Sequence, residues 1–228
     1  MQIPEKFHDQ VRKIDVNAHK VQCEFRIWMD QFVGDEIVRR KIQVIETKLK
    51  SRFGRSEVLE LYRAEADAET RFLAAMIWGH EAPANSKRDS RGPWKVEKMV
   101  NSLKDAPGLL DSLKVDSHDN IRTAYESLKK AVDRCGPNFF SKHLYFLGKA
   151  TGVKSYPLIF DDRVALGVAR LAINDPSCTN LVTIHAKAKS HAYLAYLDLA
   201  HQQAERIKCQ PDQIEYFLFE QGSGKNDV

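Results

Sequence analysis

The chain has 228 residues, enough to bury a sizeable core as one large unit or two small ones. Hydrophobic residues make up 43% and run along the whole length, which excludes extensive disorder outside the tail QGSGKNDV, while the net charge is only +4. The segment MQIPEKFHDQVRK has no apolar core for a signal peptide, and no run approaches the ~18 apolar residues of a membrane span, so a cytoplasmic protein is expected.

Helical periodicity dominates the chain. It predicts helices over residues 10–32, 35–52, 56–63, 68–79, 94–104, 118–135, 139–151, 162–173, 190–208 and 211–220, about ten in all, and therefore an all-α protein. Between Arg39 and Arg55, the cations Arg39, Arg40, Lys41, Lys48, Lys50, Arg52 and Arg55 stand against a single acid, Glu46; the sign then reverses with Glu57, Glu60, Glu65, Asp67 and Glu69. The apolar AETRFLAAMIWG ends on Gly79, a helix stop. A second basic segment, SKRDSRGPWK, sets Lys87, Arg88, Arg91 and Lys95 against Asp89 alone, and a third, Phe139 to Tyr156, carries Lys142, Lys149 and Lys154 with no acid. Each segment alone reads as a solvated helix face. Folded onto one side, the three would make a phosphate-binding surface.

In HDNIRTAYESLKKAVDRC the positions Ile121, Tyr125, Leu128, Val132 and Cys135 share one helix side. The breaks are short: DAPGLLDS, CGPN, and NDPSCTN, where Pro176 ends a helix. None is long enough for an interdomain linker, so residues 1–228 read as a single unit of two helical lobes flanking a cleft. SYPLIF reads as extended and NLVTIHAKA as a possible short strand. Cys23, Cys135, Cys178 and Cys209 form no C-x-x-C pair and read as core thiols, and no histidine spacing suggests a metal.

The stretch FFSKHLYFLGKATGVKSYPLIFDDRV, from Phe139 to Val164, places Lys142 inside an apolar helix and Asp161 beyond Pro157. Taken separately, Lys142 is an ordinary solvated helix residue and Asp161 or Asp162 an ordinary N-cap. Together with the preceding helix and the CGPN turn, they resemble the core of a helix–hairpin–helix DNA glycosylase of the 8-oxoguanine type, over residues 118–173. That family has a lysine near the start of the helix after the hairpin, an aspartate after a proline-containing extended segment, and a basic residue two positions later; the matching residues are Lys142, Asp161 and Arg163. Two features depart from the pattern. CGPNFFSK replaces the glycine-rich hairpin, and Leu158, Ile159 and Phe160 separate Pro157 from Asp161.

The resemblance implies a helix–hairpin–helix fold and excision of a damaged or modified base, 8-oxoguanine first, from double-stranded DNA. The amine of Lys142 would attack the sugar C1′ and form a Schiff base, with strand nicking as a possible sequel. A free lysine titrates near ~10.4, so this chemistry calls for burial among Phe139, Phe140 and Phe146 and for the positive end of the helix. Asp161 would assist deprotonation and stabilise positive charge on the sugar. Candidate DNA contacts are Lys87, Arg88, Arg91, Gly136, Asn138, Ser141 and Arg163. Candidate walls for the flipped base are Trp78, Trp94, Phe217 and Phe219, each of which also reads as core. His143 points about 100° away from Lys142 around the helix and is a weaker candidate for a phosphate or proton-transfer role. No cofactor, metal or membrane contact is implied, and a monomer is expected. Two other readings stay open: a non-catalytic DNA-binding protein on the same scaffold, and a helical protein-interaction domain.

Overall fold

The computed structural model describes residues 2–64, 67–80, 91–172 and 189–223, without the side chains of Arg91 and Ala172. After a 3₁₀ turn at Glu5–Phe7 come α1 (His8–Arg12), β1 (Lys20–Gln22), α2 (Phe25–Gln31), α3 (Glu36–Leu49), β2 (Arg52–Gly54), α4 (Arg55–Ala64) and α5 (Ala68–Gly79). The second half holds α6 (Arg91–Lys104), α7 (Leu109–Ser112), α8 (His118–Ala131), α9 (Pro137–Ala150), α10 (Asp162–Ala172), α11 (Ser190–Ile207) and α12 (Pro211–Gly222). The protein is all-α, with twelve α-helices and one two-stranded sheet among the described residues.

Local chemistry explains most boundaries. Asp35, Asp67 and Ser117 accept backbone N–H bonds at the starts of α3, α5 and α8. Pro137 opens α9 at the position where a missing N–H costs nothing, and Gln210 and Gln213 form a reciprocal cap on α12.

Four expectations need correction. The continuous helix over 10–32 is instead α1, β1 and α2, because Val21 pairs across the antiparallel ladder with Phe53, far away in sequence. The helix expected over 35–52 stops at Leu49, where Lys50 takes a left-handed conformation (φ 58°) and Arg52 enters β2. DAPGLLDS contains a short helix, α7, entered through left-handed Gly108. The helix expected over 118–135 ends at Ala131, and the tight turn that follows passes through Arg134 at φ 59°. NLVTIHAKA, the whole of NDPSCTN with Cys178, and Lys87 and Arg88 lie outside the described residues. Cys23 and Cys135 are buried free thiols, as core packing requires.

The packing brings two parts of the chain to one place. α5 is buried from Phe72 to Trp78 and packs against α9, itself buried from Phe140 to Gly148. α10 and α12 meet at backbone distance. A Cβ on Gly167 would lie 1.9 Å from the Leu218 carbonyl oxygen, and one on Gly222 would lie 1.8 Å from that of Arg163. Between α9 and α10, the segment Tyr156 to Phe160 is buried and belongs to no sheet. Its backbone groups are met by side chains: Phe160 N–H donates to Ser141 Oγ (3.0 Å), and the hydroxyls of Tyr193 and Tyr196 donate to the carbonyls of Leu158 and Ile159 (2.8 and 3.1 Å). That anchoring fixes where Asp161 begins α10.

Candidate active site

Lys142 sits in the buried middle of α9, and only 6% of it is exposed. Its stem runs along Gly79 at the end of α5, and its Nζ donates to the Asn138 carbonyl one turn back. Nζ is 3.7 Å from Asp161 Oδ2 and 5.7 Å from the centre of the Phe139 ring. Asp161 faces two ways. Its Oδ1 accepts from the backbone N–H of Arg163 and Val164 (3.1 and 3.0 Å), capping α10, while Oδ2 turns to the amine. The capping and active-site readings of Asp161 are therefore compatible.

Both groups line a cavity of about 320 Å³ bounded by α4, α5, α9, α10 and α12. One wall is a buried ion pair: Arg55 donates to both carboxylate oxygens of Glu215 at 2.6 and 3.0 Å. The guanidinium also lies 5.6, 5.3 and 5.6 Å from the rings of Trp78, Tyr145 and Tyr216. Burial disfavours its charge, but Glu215 outweighs that and keeps Arg55 protonated. On the other side His80 stacks on Phe139, with ring centres 4.4 Å apart. Burial, with smaller effects from Lys142 and Lys95, lowers its pKa to about 3, so the imidazole is neutral at physiological pH. Among the described residues, Arg55 Nε, Trp78 Nε1 and His80 Nε2 are buried without a hydrogen-bond partner.

A family model described as "Putative 8-oxoguanine DNA glycosylase OGG-like protein" matches residues 14–219. The chain belongs to this OGG-like family. No curated protein and no solved structure matches the chain. The OGG-like match runs from just after α1 into α12, so it takes in every cavity residue named above.

Within this OGG-like chain the sequence candidates separate. Trp78, Asn138, Lys142, Asp161, Arg163 and Phe219 all line the cavity. Arg163 lies over the Phe219 ring at 5.0 Å, and Asn138 Nδ2 donates to Asp162 Oδ2 at 2.8 Å. Phe217 does not line the cavity; it is fully buried and packs on Phe7, with ring centres 5.5 Å apart. Trp94 is outside as well, 40% exposed, with Arg134 and Lys98 over its ring. Ser141 is 0% exposed and bonded to Phe160 N–H, so it is placed to hold the extended segment rather than to meet a solvent-side partner. Gly136 caps α9 in extended backbone conformation. Arg91 starts α6.

Other cations also find partners. Lys149 donates to Asp212 at 3.0 Å. His143 points into the core, where its Nδ1 is 2.7 Å from the Tyr62 hydroxyl and burial lowers its pKa to about 3. In the first basic segment, Arg55 is inside the cavity wall, Arg39 pairs with Glu36 and Lys41 with Asp67 and Glu69. That segment is therefore not a continuous basic surface. Gly79, His80, Arg55 and Glu215 are cavity residues that the sequence reading did not assign to the site. Their local patterns signal only a helix stop, a basic stretch and a polar helix position, because what defines them is a partner distant in sequence.

Proposed function

We propose that this OGG-like protein is a DNA glycosylase that removes an oxidised or otherwise modified base, 8-oxoguanine first, with Lys142 as nucleophile and Asp161 as its acidic partner. One observation carries this reading: an amine almost removed from water lies 3.7 Å from a carboxylate on the wall of a cavity of about 320 Å³. That volume falls within the ~300–1,000 Å³ typical of ligand pockets.

The chemistry follows from the placement. A base flipped from the duplex enters the cavity, and the unprotonated amine attacks C1′. The bond from C1′ to the base nitrogen breaks, its electron pair leaves with the base, and the base takes up a proton. Positive charge that develops on the sugar faces the Asp161 carboxylate. Ring opening then gives the Schiff base; loss of a C2′ proton and departure of the 3′ phosphate would nick the strand. Arg55 and Trp78 both line the cavity that would receive the base. Trp78 and Phe219 supply aromatic faces beside that position. In this reading the whole chain is one glycosylase unit acting as a monomer on duplex DNA.

Single-turnover excision on duplexes carrying 8-oxoguanine tests the assignment. Lys142→Gln should release no base. Asp161→Asn should be slowed by roughly 10²–10⁴-fold while keeping its fold, since asparagine caps a helix as well as aspartate does. Full activity in Lys142→Gln would refute the nucleophile assignment, and an inactive wild type would send the search to other modified bases.

A further inference from the structure

We infer that Gly79 is a positioning residue for Lys142, its missing side chain forming the slot in which the lysine stem lies. The inference rests on reading Lys142 as the nucleophile.

Nothing in the backbone asks for glycine at this position. Gly79 is the last residue of α5, and the described glycines with positive φ are Gly34, Gly108 and Gly152. Glycine is also the poorest helix former after proline, so alanine would suit the helix better. What excludes alanine is one neighbour. A Cβ on Gly79 would lie 2.6 Å from Lys142 Cδ, 3.0 Å from Cε and 3.9 Å from Nζ, and these are its three nearest atoms. Gly167 and Gly222 differ in kind, since a Cβ there would strike a backbone carbonyl and force helices apart. At Gly79 only a flexible side chain is in the way, so a methyl group would move the lysine and leave the helices in place.

The consequence falls on the amine. Asn138 O and Asp161 Oδ2 hold Nζ from the α9 and α10 sides, and α5 closes the third side through the bare backbone at Gly79. Filling the slot pushes the stem off α5 and shifts Nζ relative to both partners. A displacement near 1 Å costs about 10²-fold in a reaction that depends on approach geometry.

Gly79→Ala should therefore form the borohydride-trapped adduct about 10²-fold more slowly than wild type. A stability cycle gives a second readout: Gly79→Ala should raise Tm more in a Lys142→Ala background, where the slot is empty, than in the wild-type background. Unchanged trapping in Gly79→Ala overturns the proposal, as does an identical Tm change in the two backgrounds. If the wild type forms no trapped adduct on any modified duplex, the nucleophile reading fails, and the stability cycle alone still decides whether Gly79 seats Lys142.

Discussion

Asp161 spends one carboxylate oxygen on the helix cap and the other on Lys142, so its substitutions should separate two effects. Asp161→Ala loses the cap as well as the charge and should cost about 1 kcal/mol of stability by urea denaturation, whereas Asp161→Asn should cost little. The buried pair beside it is more sensitive. Arg55→Met leaves Glu215 without its partner in a site 1% exposed and should destabilise by about 3–5 kcal/mol, with Arg55→Met/Glu215→Met recovering most of the loss. The two buried histidines predict a pH dependence. His80 and His143 both have pKa values lowered from 6.5 to about 3 by burial, so as the pH falls the unfolded chain takes up their protons first. Their contribution to stability is complete above pH 6.5 and is lost from there down to about 3. Thermal unfolding should show Tm falling through this window, and more gently in His143→Phe.

The elements that place the site depend on close approach. Gly167→Ala would drive a methyl group into the Leu218 carbonyl and should destabilise by about 1–3 kcal/mol, loosening the α10–α12 contact that brings Glu215 and Phe219 to Asp161. Ser141→Ala strips the partner from the buried Phe160 N–H and should cost about 1–3 kcal/mol in the same assay. At this scale the sequence was legible wherever a pattern was local. The apolar spacing of α5, α8, α11 and α12 and the Pro137 boundary of α9 are all visible within a few residues. β1 was hidden because Val21 has helix-compatible neighbours and its strand state comes from Phe53. Lys142 and Asp161 could be singled out because turn, lysine, proline and aspartate lie in one short stretch. Arg55 could not, because the residue that buries it, Glu215, belongs to the last helix.

For the whole molecule, OGG-like family membership and the cavity fit one account, while the distribution of charge narrows how DNA would be held. Part of the first basic segment is neutralised by acids, so in the proposed reading phosphate contact would fall to the remaining cations, among them Arg163 on the cavity wall. Affinity for duplex DNA should fall steeply with salt, log K declining linearly with log salt concentration. Arg163→Gln should weaken binding and make that slope shallower by about 1. The most direct measurement is to trap the purified protein on an 8-oxoguanine duplex with borohydride and locate the adduct by peptide mass spectrometry. The account predicts a covalent sugar adduct on Lys142. An adduct on a different residue, or base release without any trappable adduct, would contradict it.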